Sequence, residues 1–360
     1  MPSLTIAEWT AWVIVVALNA YVLFGGADFG GGVWDLLASG PRRERQRALI
    51  ANVIGPIWEA NHVWLIVVVV LLFVCFPPAF AAFGTVLHIP LSLMLVGIVL
   101  RGSAFVFRAY SYGPRSEQRR WGQVFAVSSV ITPVVLGMCV GAVVSGGVGN
   151  ALAGIGHGPA AVLPSAFDAA PTEAARASFT AIYIRSWLSP WTLAVGAMTL
   201  ALFSFLAASY LTIEAEGDQE LQDDFRRRAL GAAGVSAATA LAALALGAPQ
   251  GGVMARLVGV GWSPPLLVAS AVAGLTSVVA LVRRRYRLAR FAAGSWVTLI
   301  LWGWALAQFP LIIPPSLTIG DAAAPRPTLR DTLAVLAAGA VVLIPSLWFL
   351  LRVFKGRKTV

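Results

Sequence analysis

Charge is what this 360-residue chain has least of, with Asp, Glu, Lys and Arg together making up 12% of it. A soluble domain carries about a quarter, so these residues cannot supply the water-facing shell of one. Histidine and cysteine are scarcer still, at three and two copies. Cys75 and Cys139 lie inside apolar stretches without metal-type spacing, which excludes a zinc cluster or a disulfide framework and leaves both as core packing. Alternation of period two is missing, and with it the weak ten-residue signature of a membrane β-barrel. No basic run precedes the first apolar segment, so that segment reads as a retained helix and not as a cleavable signal.

What the chain does have is apolar length. Hydrophobic residues are 58% of it and its mean hydropathy is +0.80. About 20 such residues cross a bilayer core. Nine runs meet that length, near 9–33, 52–76, 80–107, 121–145, 188–212, 229–248, 264–282, 291–313 and 333–353. The expected fold is therefore an all-α integral membrane protein of about nine transmembrane helices.

Arginine placement sets the expected orientation, because short loops rich in Lys and Arg stay in the cytoplasm. One set of helix ends holds twenty basic residues, including Arg42 to Arg47, Arg226 to Arg228 and Arg283 to Arg290. The other set holds five, and Arg101 lies within a helix. The N-terminus is thus expected outside and the C-terminus inside. Because the basic residues sit in separate membrane-edge loops, the net charge of +10 does not make a nucleic-acid face. Contact with anionic membrane lipids is its natural second use.

Nine helices suggest two four-helix units and one extra. RRERQRALIAN from Arg42 resembles QDDFRRRALGA from Gln222, which predicts a parallel pseudo-repeat. The expected organisation is a first unit over 1–150, an external connection over 151–187, a second unit over 188–313, and a last external loop, ninth helix and basic tail over 314–360. In the connection, His157, Asp168 and Glu173 read as solvent-side residues. The Pro-rich stretch from Pro314 to Thr328 reads as an irregular cap.

Ionisable groups at membrane depth cost several kcal/mol unless paired or hydrated, so each is a candidate for function. Those present cluster in the first unit: Asp28 within GGADFGGG, Glu59 and His62 within GPIWEANHVW, then His88 and Arg101. Asp28 and Glu59 fall within a few turns of the basic first loop, where they are placed to take up protons from the cytoplasm. Against this stands a purely structural reading, in which Asp28 caps a broken helix or pairs with a loop arginine. The glycines around Asp28 permit either close helix contact or local unwinding. Glu59 and His62 share a helix face, but a di-iron carboxylate bundle needs a second Glu-x-x-His copy, which the chain lacks. A single axial haem ligand remains open for His62 or His88, beside the reading of both as hydrogen-bonded core histidines.

GADFGGG followed about 25 residues later by IGPIWEANHVWLI resembles the paired signature of the cytochrome bd subunit II family. Pro56, Trp58, Glu59, Asn61, Val63, Trp64 and Leu65 fit the second stretch, and FPPAFAAF and LRGSAFVFR are similar too. Gly25 stands where the family usually carries a further acid, Glu59 where aspartate is frequent, and His62 where Gln or Glu is commoner. The resemblance implies a quinol:oxygen oxidoreductase of the bacterial inner membrane that reduces oxygen to water. It further implies haems b and d on a partner, subunit I, with this chain stabilising that partner, and a small accessory subunit is compatible with it. It associates Glu59 and Asp28 with proton delivery from the cytoplasm, with His62 as a modulator. A proton-coupled secondary transporter is the competing reading, since parallel repeats and membrane carboxylates also occur in carriers.

Overall fold

The computed structural model describes residues 4–55, 58–110, 115–154, 179–248 and 251–356, apart from the side chains of 58–60, 109, 110, 115, 154, 351 and 354–356. The chain runs α1 (Ile6–Leu36), α2 (Arg43–Ile54), α3 (Trp58–Cys75), α4 (Pro77–Val86), α5 (His88–Tyr110), α6 (Arg115–Val144) and α7 (Gly147–Gly154). It continues through α8 (Pro190–Glu214), α9 (Gln219–Gly247), α10 (Gly252–Gly259), α11 (Ser263–Val282), α12 (Tyr286–Gln308) and α13 (Arg326–Gly356). Three helix starts follow capping chemistry. Thr5 and Glu8 form a capping box at α1, Ser189 and Thr192 form another at α8, and Asp218 accepts from the Leu221 N–H at α9.

Eight helices among the described residues are long and apolar enough to span a membrane, or nine if one bent pair counts as a single span. That pair is α3 and α4, which meet at 116°. Pro77 and Pro78 follow the bend, and proline cannot donate the amide that would continue α3. Two expected segments therefore divide differently. The run 52–76 separates into the short polar helix α2 and the apolar helix α3, and the run 80–107 into α4 and α5. The α12 span ends at Gln308, after which Leu311–Ile313 pairs antiparallel with Leu317–Thr318. The Pro-rich stretch there is a seated cap. Ile313, Leu317 and Ala322 are buried, and the Ala324 N–H donates to the Cys75 carbonyl at the end of α3. His157, Asp168 and Glu173 lie outside the described residues.

α8 is the central helix and packs on α1, α6, α9 and α12. Glycine lets it approach so closely. A Cβ at Gly30 would fall 2.0 Å from the Phe203 carbonyl oxygen, and one at Gly26 2.7 Å from the Phe203 ring. α1 is helical throughout, so the glycine-rich stretch serves close packing of the small-xxx-small kind and not unwinding. Cys75 and Cys139 are free and buried in a cluster with Leu71, Phe76 and Met138 at the capped end. A second cluster, built on Phe125, Phe205, Leu206 and Phe225, lies toward the arginine-rich end.

That basic end is tied by ion pairs. Arg42 grips Asp224 through two hydrogen bonds of 2.7 Å, and Arg45 pairs with Asp218 and Glu220. The two stretches with similar sequence, at α2 and at the start of α9, are thus clasped to each other. One is a separate helix, whereas the other opens a long span. Arg284, between α11 and α12, has φ of 56°. It occupies the left-handed position of a helix end in which the Arg285 N–H reaches the Ala280 carbonyl at 2.8 Å.

Candidate functional site

Asp28, on the inner face of α1, is 4% exposed, and Arg101 of α5 is 1% exposed. Arg101 Nη2 lies 2.9 Å from Asp28 Oδ1 and donates to the Asp28 backbone carbonyl at 3.0 Å. Its Nε donates to Ser129 Oγ at 3.2 Å, and that hydroxyl donates on to the Phe125 carbonyl. The rings of Phe29 and Phe125 each lie 5.0 Å from the guanidinium carbon. Hydrogen bonds and aromatic faces together hold this cation in place. The partner of Asp28 is therefore an arginine within the membrane span, not one from a loop.

His62, from α3, completes the cluster. Its Nε2 lies 3.9 Å from Asp28 Oδ2, and its ring sits 5.8 Å from Phe29 and 6.0 Å from Tyr21. Tyr21 is fully buried, and its hydroxyl has no hydrogen-bond partner among the described residues. A Cβ at Gly25 would lie 2.9 Å from the Tyr21 ring. A side chain at position 25 would thus press on the Tyr21 ring. Glu59 falls in the first turn of α3, one turn before His62, and its side chain lies outside the described residues. His88 is placed elsewhere. It opens α5, more than three turns before Arg101, with its Nδ1 2.8 Å from the Thr85 carbonyl.

Two turns along α1 from Asp28, about 10 Å toward the basic end, Asp35 repeats the arrangement. Its carboxylate receives two hydrogen bonds from Arg108, at 2.8 and 3.0 Å. Arg47 of α2 reaches the Asp35 backbone carbonyl from the side. The seven-residue offset is the same on both helices: Asp28 to Asp35 on α1, Arg101 to Arg108 on α5. Taken singly, Asp35, Tyr21 and Ser129 carry no sequence signal of a site, and Arg108 reads from the sequence only as a membrane-edge arginine. The matched offsets were the one signal that could have found Asp35 and Arg108.

The sequence matches the family described as cytochrome bd terminal oxidase subunit II over residues 6–354. This chain belongs to that family. A cytochrome bd ubiquinol oxidase subunit 2 from Bacillus subtilis is 33% identical over 35% of this chain and 37% of the relative. The cytochrome bd-I ubiquinol oxidase subunit 2 of Escherichia coli is 25% identical over 59% of this chain and 50% of the relative. The aligned parts thus span a third to a half of these curated relatives. A chain of the bd oxidase from Geobacillus thermodenitrificans has the same fold, with a TM-score of 0.73 at 22% identity over 99% of this chain and 100% of that one. As a bd subunit II, the chain is an integral protein of the bacterial inner membrane.

Could this bd subunit hold a haem itself? Two apolar cavities of about 650 and 330 Å3 lie among its helices, and no histidine lines either. His62 faces Asp28 between two rings, and His88 faces a carbonyl. Among the described residues no three of His, Cys, Asp and Glu come together as metal ligands. Neither cavity thus offers a histidine, among the described residues, as an axial ligand.

Proposed function

We propose that this chain is the non-haem subunit of a quinol:oxygen oxidoreductase, supporting a haem-bearing subunit I and contributing a proton path to it. Its family membership over nearly the whole chain carries this reading. The complex takes electrons from quinol and reduces oxygen to water, with haems b and d on the partner supplying the electron-transfer chemistry. The C-terminus and the arginine-rich loops lie in the cytoplasm and the N-terminus outside, as the basic-residue bias requires. The two four-helix units form a parallel pseudo-repeat, followed by one extra helix, with the clasp between α2 and α9 joining them.

Within this frame the residues divide the work. Asp35, Arg108 and Arg47 form a charged entry at the cytoplasmic end. Asp28, fixed by Arg101, lies two turns deeper. His62, 3.9 Å from that carboxylate, is the next group in reach along this path. Glu59, one turn before His62, is the carboxyl group that loads and releases protons. A carrier reading has less support. Carriers place polar groups near the midplane of both repeats, whereas the large cavity between α8 and α12 is lined almost wholly by apolar side chains.

Glu59→Gln, assembled with subunit I, is expected to slow quinol-driven oxygen consumption roughly tenfold or more while leaving the haem spectrum unchanged. Undiminished turnover with normal proton uptake sinks the proton-path assignment. A colourless chain that purifies without a partner sinks the oxidase reading itself.

A further inference from the structure

At the basic end, between the α8–α9 turn and the α11–α12 turn, lies a cavity of about 430 Å3 lined by Glu216, Gln222, Arg284, Arg285, Tyr286 and Arg287. Three arginines against one carboxylate leave it positive. Arg284 makes an exposed contact with Asp223 at 3.0 Å. No ion pair engages Arg285 or Arg287 among the described residues, and the buried Tyr286 hydroxyl has no partner there. These are donors without acceptors, the chemistry that receives a phosphate. The Arg284 backbone sits in the left-handed region, where glycine would be less strained.

The 20 residues of α11 rise about 30 Å, the thickness of the hydrocarbon core, so the turn that follows lies at headgroup depth. Below it the surface turns apolar and open. Leu288 lines the cavity, Phe291 lies one turn further on the same face at 76% exposed, and Val282 ends α11 at 54% exposed. We propose that this cavity binds the phosphate of an anionic phospholipid whose acyl chains lie along Val282, Leu288 and Phe291. A free phosphate would engage the arginines but leave the apolar strip uncovered. The site is independent of the oxidase reading.

Native mass spectrometry of the full chain, purified with its partner and equilibrated with phosphatidylglycerol or phosphatidylethanolamine, tests this. Wild type is expected to retain phosphatidylglycerol preferentially. Arg285→Gln with Arg287→Gln should weaken retention by roughly fivefold for each arginine removed. Arg284→Gly, which relieves the backbone, should also weaken it, and Arg326→Gln with Arg330→Gln at the far end should not. If the glutamine pair does not assemble, the Arg285→Lys, Arg287→Lys pair keeps the charge and is expected to bind less tightly than wild type but still prefer phosphatidylglycerol. Equal retention by wild type and the Arg284→Gly chain overturns the site. So does displacement of the lipid by millimolar inorganic phosphate, or a photoreactive group at position 287 that labels a protein in place of lipid.

Discussion

Asp28 and Arg101 are each nearly without solvent, so each depends on the other. Taking one charge out of water costs several kcal/mol, and the other repays it only at close range. Arg101 has further supports in Ser129 and the two rings, whereas the described contacts of the Asp28 carboxylate are Arg101 and His62. Removing the arginine strands a buried carboxylate. Arg101→Met is expected to destabilise the chain by about 3–5 kcal/mol, read as a fall in the thermal unfolding midpoint of the complex. Adding Asp28→Leu should restore part of that loss, since two apolar groups leave no orphan charge. A double variant less stable than Arg101→Met would show that the pair is not what holds this site. The sequence pointed to both residues as intramembrane charges, yet it could not pair them. They lie 73 positions apart on helices joined only through the bent α3–α4 passage, and hydropathy carries no information about which faces meet.

Among the elements, the contact between α1 and α8 positions Asp28. Gly26 and Gly30 face Phe203 while Asp28 faces Arg101, so one helix uses neighbouring stripes for packing and for charge. Gly30→Ala would place a methyl 2.0 Å from a backbone carbonyl oxygen, which cannot move without moving α8. The expected cost is about 1–3 kcal/mol from overpacking, together with a weaker Trp34 hydrogen bond to the Ser204 carbonyl, now 2.7 Å. Gly231→Ala, where a Cβ meets nothing within 4 Å, is the control and should be neutral or slightly stabilising. Matching midpoints for the two variants would refute the close-contact reading. Legibility at this scale followed length. α8 and α11 lie close to their expected positions because long apolar runs admit little else. The region 52–107 was misdivided because its breaks depend on Pro77 and on the amphipathic turn of α2, which a window of apolar content averages away. The GADFGGG glycines left packing and unwinding equally open, and only the Phe203 carbonyl, supplied by a distant helix, distinguishes them.

For the whole molecule, the question is what joins the arginine-rich edges of its early and late helices. Part of the answer is a set of ion pairs, and ion pairs answer to salt and pH. Asp224, which receives Arg42 and Gln46, is largely buried, whereas the Arg45, Asp218 and Glu220 group is open to water and contributes less. Asp224→Asn should therefore lower the unfolding midpoint more than Asp218→Asn, and added salt should narrow the gap between wild type and Asp218→Asn more than the gap to Asp224→Asn. Hydrogen bonding from Arg45 holds the Asp218 carboxyl below the usual carboxylate range. A depressed carboxyl adds stability that is fully present above its unfolded value of about 4, and that is lost as pH falls through the lower folded value. Between pH 5 and 8 the Asp218 contribution should stay flat. Thermal unfolding followed by tryptophan fluorescence would then show wild type losing its advantage over Asp218→Asn only below about pH 4. An advantage that fades near neutrality would mean that a histidine or a different carboxyl governs the joint.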